Sequence, residues 1–225
     1  MSAIKLAIFD CDGTLVDSGA TIFAALRTSL EAHGRAVPPA REARRVVGLS
    51  LFQAMELLVP GAPADELSAM AETYKRAFQA MRAAGEVEEP LFEGIAELIE
   101  TMASDGWALA VATGKSDRGL RHCLAAHGLG ERFVSLQTAD RHPSKPHPAM
   151  ALAAMAEAGA LPLQTVMIGD TGWDMGCARG AGVGAIGVGW GYHDDDELLA
   201  AGAHCIAAEP GDVFAMAQAW VTRAA

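Results

Sequence analysis

Short, almost wholly apolar runs alternate along this chain with stretches of helical length, and that alternation limits the fold more than any other feature. Runs suited to strands are Leu6–Phe9, Trp107–Ala112, Phe133–Gln137, Thr165–Ile168 and Gly184–Val188, with a weaker one at His204–Ala207. Gly94–Ala103, Arg118–His127, Ala149–Ala158 and Trp173–Arg179 lie between them with the length of helices. Strands without polar alternation are buried on both faces, which requires a parallel sheet covered by helices on either side. The expected fold is α/β, with a Rossmann-like parallel sheet as its core.

One region breaks the pattern. From about Ala20 to Gly85 there is no convincing strand, while Ile22, Leu26 and Leu30, then Leu51, Met55 and Leu58, then Leu67, Met70, Tyr74, Phe78 and Met81 recur at helical spacing. Gly34 and Gly85 offer stops. The expected organisation is an α/β core of residues 1–17 and 86–225 with a helical insertion of residues 18–85. Such an insertion is either an elaborated crossover or a lid, and its place directly after an acidic turn favours the lid.

Composition narrows the partners. A net charge of −11 argues against nucleic acid and against an anionic membrane surface, both of which want a basic face. It leaves an anionic small molecule open, because a metal and a few lysines reverse the field locally. No apolar run approaches the ~20 residues of a membrane helix, and the first apolar segment is short and leads into acids, unlike a signal peptide. Cys11, Cys123, Cys177 and Cys205 form no CxxC pair and no zinc-like cluster. They read as small apolar residues of a protein in a reducing, cytoplasmic setting.

The chemistry is expected where the strands end, because ligands of open parallel sheets bind outside the strands' carboxyl ends. The first strand runs into Asp10 and Asp12 in "LAIFDCDGTLVDSG". The second, "WALAVATGKS", ends in Thr113, Gly114 and Lys115; a later one, "TVMIGDTGWD", ends in Asp170, with Asp174 about one helical turn on. "HPSKPHP" supplies Lys145 just before a helix. Singly, these are a turn, a solvated lysine and an N-cap. Jointly, carboxylates, a hydroxyl beside a glycine amide and a lysine converge on one rim. Two carboxylates one residue apart repel and are costly to desolvate unless a cation sits with them. Such hard-oxygen groups suit Mg²⁺, and the set suits phosphoryl transfer.

"DCDGTLVDS", "ATGKS", "SKPHP" and "GDTGWDM", in that order, resemble the four motifs of the haloacid dehalogenase (HAD) superfamily of phosphohydrolases, across nearly the whole chain. Within it, "VVGLSL", "PLFEGIAELI" and "GVGWGYHDDDELLAAGA" look most like the phosphoglycolate phosphatase group. The resemblance implies the HAD fold with a helical cap, and Mg²⁺ as cofactor. Asp10 is then the nucleophile that becomes an aspartyl-phosphate, and Asp12 the proton carrier, its backbone carbonyl a metal ligand. Asp170 is a further ligand, and Asp174 supports metal-bound water or Lys145 from behind. Thr113 and the Gly114 amide hold phosphoryl oxygens, and Lys145 neutralises the phosphoryl group.

The expected substrate is a small acidic phosphomonoester such as 2-phosphoglycolate, its carboxylate meeting Arg44 or Arg45 of "REARRVVGLSL". Those arginines equally suit a solvated helix face. A sugar-phosphate phosphatase, a phosphomutase resembling β-phosphoglucomutase and a phospho-accepting signalling module stay open, although the last needs no helical lid. A dehalogenase leaves Asp12 and Asp170 without use. Asp17 and Ser18 suit a hinge, a cap or a plain turn. "GVGAIG" matches a dinucleotide pattern but runs into a strand instead of opening a helix. "HDDDE" reads as a helix start. Nothing in the sequence speaks to oligomeric state.

Overall fold

A computed structural model describes residues 4–223. Among them, β1 (Leu6–Phe9), β2 (Ala108–Thr113), β3 (Ser135–Thr138), β4 (Thr165–Gly169), β5 (Gly184–Val188) and β6 (Cys205–Ala207) form one sheet in the order β3-β2-β1-β4-β5-β6. Every neighbouring pair is parallel. Between β1 and β2 the chain builds α1 (Gly19–Ala32), α2 (Ala40–Arg44), α3 (Leu51–Leu58), α4 (Ala64–Ala83) and α5 (Ile95–Ser104). The later helices are α6 (Asp117–Ala126), α7 (Ala149–Ala158), α8 (Gly172–Ala181), α9 (Asp195–Ala200) and α10 (Pro210–Arg223).

The period of two along each strand divides the core into two layers. Ala7, Phe9, Leu109, Val111, Val166 and Ile168 face α5, α6 and α10. Leu6, Ile8, Ala110, Ala112 and Met167 face α7 and α8. Both faces are covered, which is why these strands read as continuous apolar runs. Among the described residues no helix is long and apolar enough to cross a membrane.

The insertion has a core of its own. Ile22, Leu26 and Leu30 of α1 pack with Met55 of α3 and with Met70 and Tyr74 of α4. The Ser29 hydroxyl ties α1 to α4 by donating to Met70 O at 2.7 Å. Two connections join this unit to the sheet and run side by side: Asp17 N–H donates to Pro90 O at 2.9 Å, and Phe92 N–H to Leu15 O at 3.1 Å.

Element ends depart from the sequence reading for identifiable reasons. Trp107 belongs to the turn out of α5, its N–H donating to Met102 O at 3.0 Å, and β2 begins one residue later. Phe133 is buried in the core, but the ladder starts only where Ala110 meets Ser135, so its apolarity marks packing and not pairing. Helix α2 lacks a signal altogether, because it spans five residues and buries only Ala43.

β1 lies between β2 and β4, so successive connections leave it in opposite directions. That reversal opens a crevice at the carboxyl end of β1, where a ligand site is expected in such sheets.

Candidate active site

The register of β1, β2 and β4 brings the sequence-selected groups to that crevice. Asp10, Asp170 and Asp174 are fully buried, and each offers a carboxylate oxygen within 4.8 Å of the others. Lys145, also fully buried, donates to Asp174 Oδ1 at 2.6 Å and to Ala112 O at 3.3 Å. Its Nζ stands 2.9 Å from Asp10 Oδ2, an ion pair without hydrogen-bond alignment. Thr113 is 1% exposed at the end of β2.

The acids differ in how far the protein satisfies them. Both oxygens of Asp174 are committed: Oδ1 to Lys145, and Oδ2 to Thr171 N–H at 3.0 Å and Thr171 Oγ1 at 2.6 Å. Asp170 accepts from Thr14 Oγ1 at 2.9 Å and from Tyr192 N–H at 3.0 Å. Asp10 Oδ1 accepts from Cys11 N–H at 2.7 Å, while Asp10 Oδ2 has no hydrogen-bond partner among the described residues. An orphaned carboxylate oxygen beside two further acids is costly in isolation and fits a group that receives a cation or an electrophile.

The charges show the same imbalance. Burial pushes the Asp10 carboxyl up to about 7, repulsion from Asp174 and Asp12 adding to it and Lys145 opposing it. Burial, with Asp174 and Asp10, also raises Asp170 well above the carboxylate range, against the pull of Tyr192 N–H and Thr14. Burial works against the Lys145 ammonium, but Asp10 and Asp174 outweigh it and hold it charged. One lysine among three acids leaves negative charge uncompensated, and Mg²⁺ with its preference for carboxylate oxygens would remedy that.

The insertion closes over this centre. The loop 47–50 approaches so nearly that a Cβ at Gly48, whose φ is +91°, would lie 3.6 Å from Asp10 Oδ2 and 3.7 Å from Lys145 Nζ. At Gly114 a Cβ would meet Leu49 O at 2.3 Å, so only glycine fits beneath the loop. Ser50 N–H donates to Ser144 Oγ at 2.8 Å and fastens the loop to the rim. Beyond it opens a cavity of about 570 Å³, walled by Asp12, Gly114 and Lys115 from the core and by Leu49, Tyr74 and Phe78 from the insertion.

Arg44 and Arg45 do not line that cavity. Arg45 turns outward to pair with Glu197 Oε1, and its carbonyl accepts from Trp173 Nε1 at 3.2 Å. Arg44 lies 6.0 Å from the Tyr192 ring centroid, its Nε buried and without a hydrogen-bond partner among the described residues. The solvated-face reading describes Arg41 better still, paired with Asp194 at 2.8 Å with both side chains well exposed. The cations on the cavity are Lys75, Arg82, Lys115 and Arg118. Cys11 turns away from the acids, its Sγ 3.9 Å from that of Cys123. Ser18 precedes α1 without capping it; its hydroxyl donates instead to Asp12 Oδ1.

Several site partners carry no role in the sequence reading: Thr14, Glu89, Lys115, Thr171 and the Tyr74–Phe78 pair. Thr171 was findable, since Thr171 and Asp174 have the spacing of a capping box and form one. Tyr74 and Phe78, four apart on α4, already stood in its apolar stripe, but the stripe does not say which members face a cavity.

An acidic rim at the carboxyl ends of a parallel sheet, a buried lysine and a helical unit folded over them define a hydrolase class, and comparison with known proteins agrees. The sequence model of the haloacid dehalogenase-like hydrolase family matches residues 7–188, and the chain belongs to that family. It is 37% identical over 199 residues to the "Probable phosphatase IndB" of Dickeya dadantii, covering 87% of this chain and 86% of that one. A phosphoglycolate phosphatase of Agrobacterium fabrum is 32% identical over 197 residues, covering 84% and 82%. A solved hydrolase from Pseudomonas syringae superposes with a TM-score of 0.82 at 27% identity, covering 94% of this chain and 96% of that one. The chain is a phosphatase of this family, similar to phosphoglycolate phosphatases.

Proposed function

We propose that the protein hydrolyses small organic phosphomonoesters through an aspartyl-phosphate on Asp10. The observation that carries this reading is the unsatisfied Asp10 Oδ2, buried against Lys145 and two further acids. In the first step the Asp10 carboxylate attacks phosphorus, the ester O–P bond breaks, and Asp12 gives its proton to the departing alkoxide. In the second, Asp12 takes a proton from water, the new hydroxide attacks phosphorus, and inorganic phosphate leaves Asp10. Thr113, the Gly114 amide and Lys145 hold the phosphoryl oxygens throughout. Asp174, with both oxygens committed, acts by orienting Lys145. Asp12 stands outside the cluster of Asp10, Asp170 and Asp174, and it faces the cavity, as a proton carrier to the leaving group must.

Asp10, Asp170 and the Asp12 carbonyl would hold Mg²⁺, with Asp174 behind them. When bound, the ion offsets the carboxylates' repulsion and polarises a phosphoryl oxygen. The helical unit of residues 18–85 acts as a cap that excludes water while the intermediate exists.

For the substrate, similarity to phosphoglycolate phosphatases supports 2-phosphoglycolate, although neither Arg44 nor Arg45 lines the cavity. A second reading is favoured by the cavity, whose 570 Å³ and mixed lining of apolar side chains such as Leu26 and Phe78 and polar ones such as Glu72, Gln79 and Arg118 suit a larger, hydroxyl-bearing ring such as that of a sugar phosphate. The deciding experiment is a phosphomonoester panel with Mg²⁺ and with chelator, comparing kcat/KM and measuring released phosphate. Phosphate release that requires the metal supports the hydrolase; transfer of phosphate within the substrate without release would make it a mutase, and no turnover would leave only a phospho-accepting module.

A further inference from the structure

Lys115 is the buried cation that the mechanism above does not use. Its side chain is 9% exposed, and its Nζ donates to Asp12 Oδ1 at 2.5 Å while standing 2.8 Å from Glu89 Oε1. Asp12 and Glu89 together hold the ammonium charged against the cost of its burial. Glu89 is equally enclosed at 7% exposure, and its other oxygen pairs with Arg82 Nη2 at 2.9 Å. A chain of ion pairs thus runs Asp12–Lys115–Glu89–Arg82 from the reaction centre to the end of α4.

The chain fixes one half of Asp12 and leaves the other free. Oδ1 takes both the Lys115 ammonium and the Ser18 hydroxyl. Oδ2 has no hydrogen bond among the described residues, and Asp12 lines the cavity. Ser18 and Glu89 sit on the two connections between insertion and sheet, which run side by side. Asp12 is therefore held by groups from both.

We propose that Lys115, braced by Glu89, is the positioning residue of the proton-transferring carboxylate: it clamps Asp12 Oδ1 so that Oδ2 addresses the leaving-group oxygen. This rests on Asp12 as proton carrier. A rival role is on the page too, since Lys115 also lines the cavity and is able to bind an anionic group of the substrate directly. The roles differ in what they respond to. A positioning residue matters in proportion to how much the leaving group needs a proton, whereas a substrate-binding lysine affects good and poor leaving groups alike.

The test is kcat/KM, which reports the steps through alcohol release, across phosphomonoesters graded from an alkyl phosphate to p-nitrophenyl phosphate. Asp12→Asn is the reference, expected to lose about 10²–10⁴-fold on the alkyl ester and far less on the nitrophenyl ester. Lys115→Met is expected to show the same tilt, about 10²-fold on the alkyl ester as for a misplaced catalytic group. Glu89→Gln is expected to show a smaller loss with the same tilt, and Lys115→Arg to recover part of it. Lys115→Met strands two buried carboxylates, so Lys115→Met/Glu89→Gln, with one acid neutralised, carries the comparison if the single variant fails to fold. Equal losses on all esters, or a change confined to KM, overturn the proposal. If Asp12→Asn itself lacks the tilt, it is the reading of Asp12 that fails.

Discussion

The rim of the sheet and the helical insertion face the same cavity, yet they hold their polar groups by opposite means. At the rim, charges are buried and interlocked: Lys145 and Asp174 are both fully enclosed, and each fixes the other. In the insertion, Arg41 of α2 and Arg45 just after it turn outward into exposed or half-exposed pairs with Asp194 and Glu197. On the cavity wall the insertion sets Ile22, Leu26, Leu49 and Phe78 beside the polar side chains of Glu72, Lys75 and Arg82. A sheet places side chains by register and so builds reaction chemistry to a fixed geometry. A helical unit clamped over it contributes shape, and shape discriminates among leaving groups.

That contrast breaks most visibly at Asp10. Asp10→Asn removes the proposed nucleophile, and phosphate release is expected to fall by about 10⁶-fold, with the circular dichroism of the fold unchanged. Lys145→Met is expected to destabilise the protein in chelator by about 3–5 kcal/mol, read by urea unfolding, since it strands three buried acids. A loss of under about 1 kcal/mol, the worth of an exposed pair, would show the rim to be no more interlocked than the surface. Mg²⁺ at a hundred times its dissociation constant is expected to add about 2.7 kcal/mol of stability, and the gain is expected to vanish in Asp170→Asn. Thermal melts with and without chelator check it.

The insertion is expected to respond differently. Phe78→Ala removes part of the cavity wall and is expected to change kcat/KM for ring-bearing phosphates by about tenfold or more while leaving a two-carbon phosphate nearly unaffected. Equal effects on both would deny the insertion its selective role. The smallest effect is expected of Arg45→Ala: its pair with Glu197 is partly exposed, such pairs are worth about 0–1 kcal/mol, and the ranking of substrates is expected to stay as it was. A lost preference for acidic substrates would return the arginine to the site.

The same division governs how much was legible in the sequence. Asp10, Thr113 and Asp170 are read from strand ends because each strand declares itself by its apolar run, and the topology does the rest. The ladder even corrects small errors, as where Ser135 and not Phe133 opens β3. Lys115 also stood at a strand end, but its partners Asp12 and Glu89 lie 103 and 26 residues away in the chain, and nothing local announces the pairing. Tyr192 holds Asp170 through its backbone N–H, a contact that its side chain does not advertise. The arginines misled for a related reason: three cations near a Gly-Leu-Ser turn show charge, but their direction depends on α2, whose five residues carry no pattern.

The account stands or falls on the bond between Asp10 and phosphorus. Rapid acid quenching during turnover of a radiolabelled phosphomonoester, followed by borohydride reduction and peptide mass spectrometry, reads that bond directly. Label retained on the protein, with homoserine in place of Asp10 after reduction and no label on the Asp10→Asn variant, is the predicted result. A fully active enzyme that never carries label, or that carries it on another residue, would contradict it.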